Sequence, residues 1–196
     1  IPTEGYRTFL VPRSDYEIED TWNSMGLQGT GSNDIVIDKP VLIPHYRTHK
    51  QMDGFNCIND QSNPMYSMPW AQTFVRVVST PAIGAGKHAL KLFKANANTS
   101  STDPTKLVGD PDVLRRIVQA ENLVDQAETM MLRNFDVMMG LVNDGQEIPM
   151  ADRLRYRYQA SIVINDMIEA VDLLFDAAGG RSVFVGSEIQ AIWHDI

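Results

Sequence analysis

Apolar residues recur along this chain with two different periods, and the change falls near residue 65. Up to about residue 45, short apolar runs at Thr8-Phe9-Leu10-Val11, Ile35-Val36-Ile37 and Val41-Leu42-Ile43 are separated by Gly, Asn, Asp and Pro. That is the pattern of short strands in an all-β unit. From Pro69 onward the spacing becomes helical, with Ala71, Val75, Val78, Ala82, Ala85, Ala89 and Phe93 along one face. Pro81, Gly84 and Gly86 inside this stretch predict a kink or a close helix crossing. A second helix is predicted from Asp110-Pro111, an acceptor side chain before a proline in the first turn. Its apolar face runs from Val113 through Ala120, Ala127, Met131 and Phe135 to Val142, and Asp144-Gly145 ends it. A third helix follows Pro149, with Ala160, Ile164, Met167, Val171, Leu174 and Ala178 on one face and Gly179-Gly180 as its stop. Residues 188–196 read as the start of a fourth.

The fold class expected is therefore α+β: an all-β unit of short strands over residues 1–65, then an antiparallel four-helix bundle over 66–196. Asn96 to Asp103 reads as a polar linker, and no internal repeat is present. The chain opens at Ile1-Pro2 without an initiator Met and stops inside a helical pattern, so it reads as an excerpt.

Composition narrows the function classes. With 43% hydrophobic residues in 196, the chain is long enough to bury a core. A formal charge of −8 opposes a nucleic-acid partner, which needs clustered Lys and Arg. No apolar run approaches the ~20 residues of a membrane span, and the lone Cys57 excludes an internal disulfide, so a cytoplasmic location is expected. His45 and His49 stand four apart, but they follow a strand and Pro44 with no carboxylate or Cys to complete a set, so a surface loop accounts for them and no metal is expected. His88 reads as solvated or packed.

Two segments carry the candidate chemistry. The first is Asp20-Thr21-Trp22-Asn23-Ser24-Met25-Gly26-Leu27-Gln28-Gly29-Thr30-Gly31-Ser32-Asn33-Asp34, with Ile43-Pro44-His45 after it. The second is Leu174-Phe175-Asp176-Ala177-Ala178-Gly179-Gly180-Arg181-Ser182, followed by Ile189-Gln190-Ala191-Ile192-Trp193-His194-Asp195. In order and spacing they resemble the signatures of the acyl-CoA dehydrogenase-like flavin-dependent monooxygenases, the oxygenase components of two-component aromatic hydroxylases.

The resemblance implies that Trp22 walls an isoalloxazine ring, although a buried β-domain aromatic is the other reading of this residue. Gly29 to Ser32 is either a tight turn or the lining of a flavin and substrate cavity, with Thr30 and Ser32 as cavity residues and Asn33 satisfying its own turn. Gly179, Gly180, Arg181 and Ser182 both end a helix and, by resemblance, lie against the flavin's phosphate side chain. His194 stands where the family usually has Arg, and the family's catalytic His is expected beyond Ile196.

The activity implied is hydroxylation of a small phenol- or indole-like aromatic by reduced FAD or FMN and O2, through a C4a-hydroperoxyflavin, with the flavin supplied by a separate reductase. A homotetramer is implied as well, and residues 1–65 would be the second part of a middle antiparallel β-domain, with an N-terminal helical domain and the extreme C-terminus absent from the chain. Two rival readings remain: an acyl-CoA dehydrogenase, and a non-catalytic helical oligomerisation fragment.

Overall fold

The computed structural model describes residues 5–50, 62–99 and 109–196, which leaves Cys57 and the last part of the expected linker outside the described residues. The chain divides into two compact units, Ile1–Tyr66 and Ser67–Ile196.

In the first unit, β1 (Arg7–Phe9) pairs antiparallel with β4 (Thr48–Lys50), Thr8 lying opposite His49. β2 (Glu17–Glu19) pairs antiparallel with β3 (Asp34–Val36), Ile18 opposite Ile35. The expected strand at Val41-Leu42-Ile43 joins no ladder. Pro40 and Pro44 bracket it, proline has no N–H to give, and Leu42 is 94% exposed. β2 and β4 are the opposite case: Glu17-Ile18-Glu19 and Thr48-His49-Lys50 contain one apolar residue between them, so no hydrophobic run marks them. No described residue from 5 to 50 is buried, so the ladders have no core of their own.

Among the described residues, the second unit holds three long helices and a short one: α1 (Trp70–Thr99), α2 (Pro111–Asn143), α3 (Met150–Ala178) and α4 (Glu188–Asp195). The start of α2 is capped as its sequence predicts, the Asp110 carboxylate accepting from the Asp112 N–H at 2.8 Å. Side-chain pairs give the helix directions. Lys87 meets Glu128 and Lys94 meets Glu121, so a step forward on α1 is a step backward on α2 and the two are antiparallel. Asn134 meets Gln159 and Arg116 meets Asp176, which makes α2 and α3 antiparallel too. Gln72 meets the Arg153 carbonyl, and Gly86 faces Met167, so α1 and α3 run parallel.

The core concentrates on α3, where Ala160, Val163, Met167, Ala170, Val171 and Leu174 are fully buried. α4 docks on α3 through Ile189 and Ile192, through the Phe175–Trp193 ring stack at 5.1 Å, and through a 2.6 Å hydrogen bond from Trp193 Nε1 to Asp172. α1 runs uninterrupted through Pro81 and continues to Thr99, past the expected start of the linker.

The buried stripe of α1 differs from the expected one. Val78 is 53% exposed, and the first half of the stripe is instead Gln72, Arg76 and Ser79, continuing into Ile83, Ala89 and Phe93. The reason is a polar layer. Gln72 Nε2 donates to the Arg153 carbonyl at 2.9 Å, Arg76 Nη1 donates to the Gln72 carbonyl at 2.6 Å, and buried Asn134 donates to Gln159 at 2.8 Å. This band lies between a large apolar cluster around Val163 and Met167 and a small one of Met68, Met138, Val142, Ile148 and Tyr156.

The close crossing expected of α1 is at Gly86. A Cβ there would sit 2.7 Å from Met167 Sδ and 3.2 Å from Val124 Cγ2, whereas a Cβ at Gly84 meets nothing within 4 Å. Gly86→Ala should therefore destabilise the protein by about 1–3 kcal/mol through overpacking. Gly84→Ala, on the same helix, should stabilise it by up to about 1 kcal/mol through helix propensity. Chemical denaturation of both variants checks the contrast.

A second prediction concerns Asp112, whose carboxyl is held below the ordinary aspartate range by hydrogen bonds from Arg115 and Arg116. A depressed folded-state pKa means that the contribution is present above the unfolded pKa and lost as pH falls through the folded one. Carboxyl-carbon NMR titration should place the Asp112 midpoint below that of a free aspartate, and Arg116→Met should move it back up.

Candidate functional site

The segment from Asp20 to Asp34 folds around one carbonyl. The Leu27 oxygen accepts from Trp22 Nε1 at 2.9 Å, from Thr30 Oγ1 at 2.7 Å and from the Thr30 N–H at 3.1 Å. Asn33 closes the loop by accepting the Trp22 N–H at 3.1 Å, the turn role its sequence context favours. Of the expected Gly-rich turn, Gly31 takes a left-handed conformation at φ 59°, and the other left-handed position is Leu27 at φ 53°. A leucine there carries roughly 1–2 kcal/mol of strain, which the three bonds to its carbonyl hold in place.

This geometry limits what the loop can offer a ligand. Trp22 is half-buried and its only donor is spent, so it presents a ring face and no hydrogen bond. Thr30 has likewise given its proton to Leu27 and keeps only acceptor capacity. Ser32 is exposed. A Cβ at Gly29 or Gly31 would meet nothing within 4 Å, so the turn is open to close approach.

At the end of α3, Gly179 takes φ 71° and a single tight turn, Gly179–Arg181, follows. Ser182 is buried, and both its hydroxyl (2.6 Å) and its N–H (3.0 Å) donate to the Gly179 carbonyl. Its side chain therefore builds the turn, while Gly180 and Arg181 are exposed. The carbonyl end of a helix carries partial negative charge, so an anion here needs a cation such as Arg181 beside it. His88, on α1, faces Glu188 of α4 at 2.8 Å. His194 packs edge-on to Trp193 at 5.1 Å, and its Nδ1 has no hydrogen-bond partner.

One feature of the helical unit has no counterpart in the sequence-based expectations. An open groove of about 590 Å³ lies between α1 and α2, lined by Val77, Ile83, Met131, Leu132 and Phe135 with the Lys87–Glu128 pair in its wall. Arg76 also lines it and is only 6% exposed, with Nε and Nη2 unpartnered. Burial lowers the Arg76 pKa from its ordinary value, opposed in part by Tyr156.

Comparison with known proteins agrees with this architecture. The family described as acyl-CoA dehydrogenase, C-terminal domain, matches residues 76–196. The oxygenase subunit HsaA of a flavin-dependent monooxygenase from Mycobacterium tuberculosis is 32% identical over 97% of this chain and 50% of its own length. The oxygenase component of p-hydroxyphenylacetate 3-hydroxylase from Acinetobacter baumannii is 27% identical over 97% of this chain and 46% of its own. The crystal structure of a 3-HSA hydroxylase from Rhodococcus sp. RHA1 superposes with a TM-score of 0.86 at 29% identity, over 96% of this chain and 50% of that one. The chain thus spans about half the length of the curated relatives it matches. With the bundle, its caps and the family match over residues 76–196 in agreement, the chain belongs to the acyl-CoA dehydrogenase family.

Proposed function

We propose that this chain is the central and C-terminal part of the oxygenase component of a two-component monooxygenase. In this reading it uses reduced FAD or FMN, delivered by a separate reductase, and O2 to hydroxylate a small phenol- or indole-like aromatic in the cytoplasm. The observation that carries it is the likeness to oxygenase components across nearly the whole chain, both units included, at up to 32% identity. The residues present suit a flavin: a ring face whose polar atom is spent, two open glycine turns, and an exposed guanidinium beside one of them.

Bound reduced flavin supplies the oxygen activation, and the protein supplies orientation and water exclusion. Trp22 offers a flat wall to the ring system. Thr30 accepts hydrogen bonds, and Ser32 offers an exposed hydroxyl. The backbone at Gly179 and Gly180 admits a phosphate closely, Arg181 balances its charge, and Ser182 holds the turn in shape. Exposed apolar residues on α2, among them Leu114, Val118 and Leu132, leave surface for subunit packing in a homotetramer.

The full-length protein, given reduced flavin, O2 and a phenol, should form hydroxylated product. Reduction of an acceptor dye by an acyl-CoA, without such product, would establish the dehydrogenase reading instead. Trp22→Ala should weaken reduced-flavin binding about 2- to 10-fold, the equivalent of about 0.5–1.5 kcal/mol of ring stacking, and Trp22→Phe should retain most of it. Anaerobic equilibrium titration measures both. Light scattering should give four times the monomer mass, and a stable monomer at micromolar concentration would count against the tetramer.

A further inference from the structure

A helix whose outer face meets water carries charged residues there, whereas one that is uncharged all round is a helix covered on every side. The first half of α1 is of the second kind. Between Pro69 and Gly86 the sequence holds a single charged residue, Arg76, and it is buried. The outward side chains of this stretch are nonetheless open to solvent: Trp70 is 43% exposed, Phe74 52%, Val77 64% and Val78 53%. Trp70 and Phe74 stack with ring centroids 4.6 Å apart, which makes one aromatic surface of the two. A contiguous apolar patch of this kind marks an interaction surface.

The layout of the patch says what covers it. It is made of two ridges at i, i+4 spacing, side by side: Trp70, Phe74 and Val78 form a bulky one, Val77, Pro81 and Ala85 a low one. Turned end for end about the midpoint of Val77 and Val78, Trp70 falls on Ala85, Phe74 on Pro81 and Val78 on Val77. A second copy of the helix, antiparallel and related by a twofold axis at that point, sets its bulky ridge over the low ridge of the first, and the first does the same to it. An isologous contact requires this self-complementarity, and a contact with an unrelated partner does not. The stretch runs for about 22 Å at 1.5 Å per residue, and the outer surface of one helix is convex, so it suits another helix and not a small ligand, which needs a concave site. With the one charge of the stretch buried inside its own bundle, two copies meet here without burying like charges against each other.

We propose that residues 70–85 of α1 make a twofold, antiparallel contact with the same residues of a second copy of this chain, Phe74 of each copy seated on Pro81 of the other. The contact is independent of the oxygenase reading. It supplies one of the two kinds of twofold contact that close a tetramer, and the exposed apolar residues on α2 are available for the other.

Analytical ultracentrifugation of the full-length protein, with a swap of bulk across the contact, tests it. Phe74→Ala should weaken association at least about tenfold, as loss of a central aromatic anchor does. Pro81→Phe, at an exposed position where removing a proline relieves the helix, should weaken it too, because two bulky ridges then collide. Phe74→Ala combined with Pro81→Phe moves the ring from one ridge to the other and should bring association back to within about threefold of the original. Damage to the fold cannot produce that rescue. In a Cys57→Ser background, Val78→Cys lies beside the axis, and a short bismaleimide should join two copies through it. Association unmoved by Phe74→Ala, a double variant as weak as the single ones, or no cross-linked pair would overturn the proposal, the face being covered by another part of the polypeptide or by a different protein. A pair that follows the swap but never exceeds two copies keeps this contact and removes the tetramer; a tetramer indifferent to every variant does the reverse.

Discussion

The helical unit depends on one close approach, the parallel contact of α1 and α3 at Gly86. With no side chain at that position, Met167 Sδ fills the space a Cβ would occupy, and Val124 of α2 closes on the same point. Three helices thus meet where one of them has been reduced to backbone. Because α3 is the element that packs on all the others, its fully buried positions include two alanines beside larger Val, Met and Leu. Small residues permit the approach and the larger ones fill the volume around it, which is how a core reaches high packing density without voids. The contact also fixes the level at which α1 and α2 can touch. They are linked through the Lys87–Glu128 and Lys94–Glu121 pairs, and toward the start of α1 they leave an open groove.

At that end of the bundle the interior changes from apolar to polar. Gln72, Arg76, Ser79 and Asn134 occupy positions that apolar residues would fill at lower desolvation cost. Most of their donors are satisfied within the bundle: Gln72 by the Arg153 carbonyl, Ser79 by the Val75 carbonyl at 2.8 Å, and Asn134 by Gln159. Satisfied layers of this kind fix helix register, because sliding any one helix by a turn breaks several bonds together. Arg76 is the exception, half engaged in the layer and half not. A position that breaks the rule followed by its neighbours is where function is to be sought.

The sequence made helices, caps and stops legible because each has a local signal: period, an acceptor before a proline, a glycine pair. It made the burial of α1 less legible. Following apolar residues alone leads to Val75 and Val78, one step around the helix from the stripe Gln72, Arg76, Ser79, Ile83, Gly86. The signal was present in another form, since three polar residues at spacings of four and three extend the line of Ile83, Ala89 and Phe93 without a break. Short strands such as Glu17–Glu19 carry no such mark, because their pairing is made by backbone groups and their side chains are exposed. The left-handed Leu27 was equally hidden: glycine advertises that conformation, and here a leucine adopts it under three hydrogen bonds to its own carbonyl. Of the motif residues, Asn33 and Ser182 proved to be turn builders, a role any Asn or Ser has in such a context and so one their residue types alone do suggest.

Donor accounting connects these observations. The polar hydrogens of the Asp20 to Asp34 loop converge inward, with Trp22 and Thr30 both committed to Leu27, so that segment can recognise a flat partner by shape and apolar contact but contributes little directional polarity from those two side chains. The turn at Gly179 likewise directs Ser182 inward. Among the described residues, the buried side-chain atoms left unsatisfied are Ser24 Oγ, His194 Nδ1 and two nitrogens of Arg76. A hydroxyl can turn its proton toward another acceptor, and one unpaired hydroxyl or ring nitrogen costs about 1–3 kcal/mol. The guanidinium is different, since its charge stays on at neutral pH even with burial lowering its pKa. That charge is held inside the bundle without an ion-pair partner among the described residues, so the cost of burying it falls on the end of the unit where the polar layer lies.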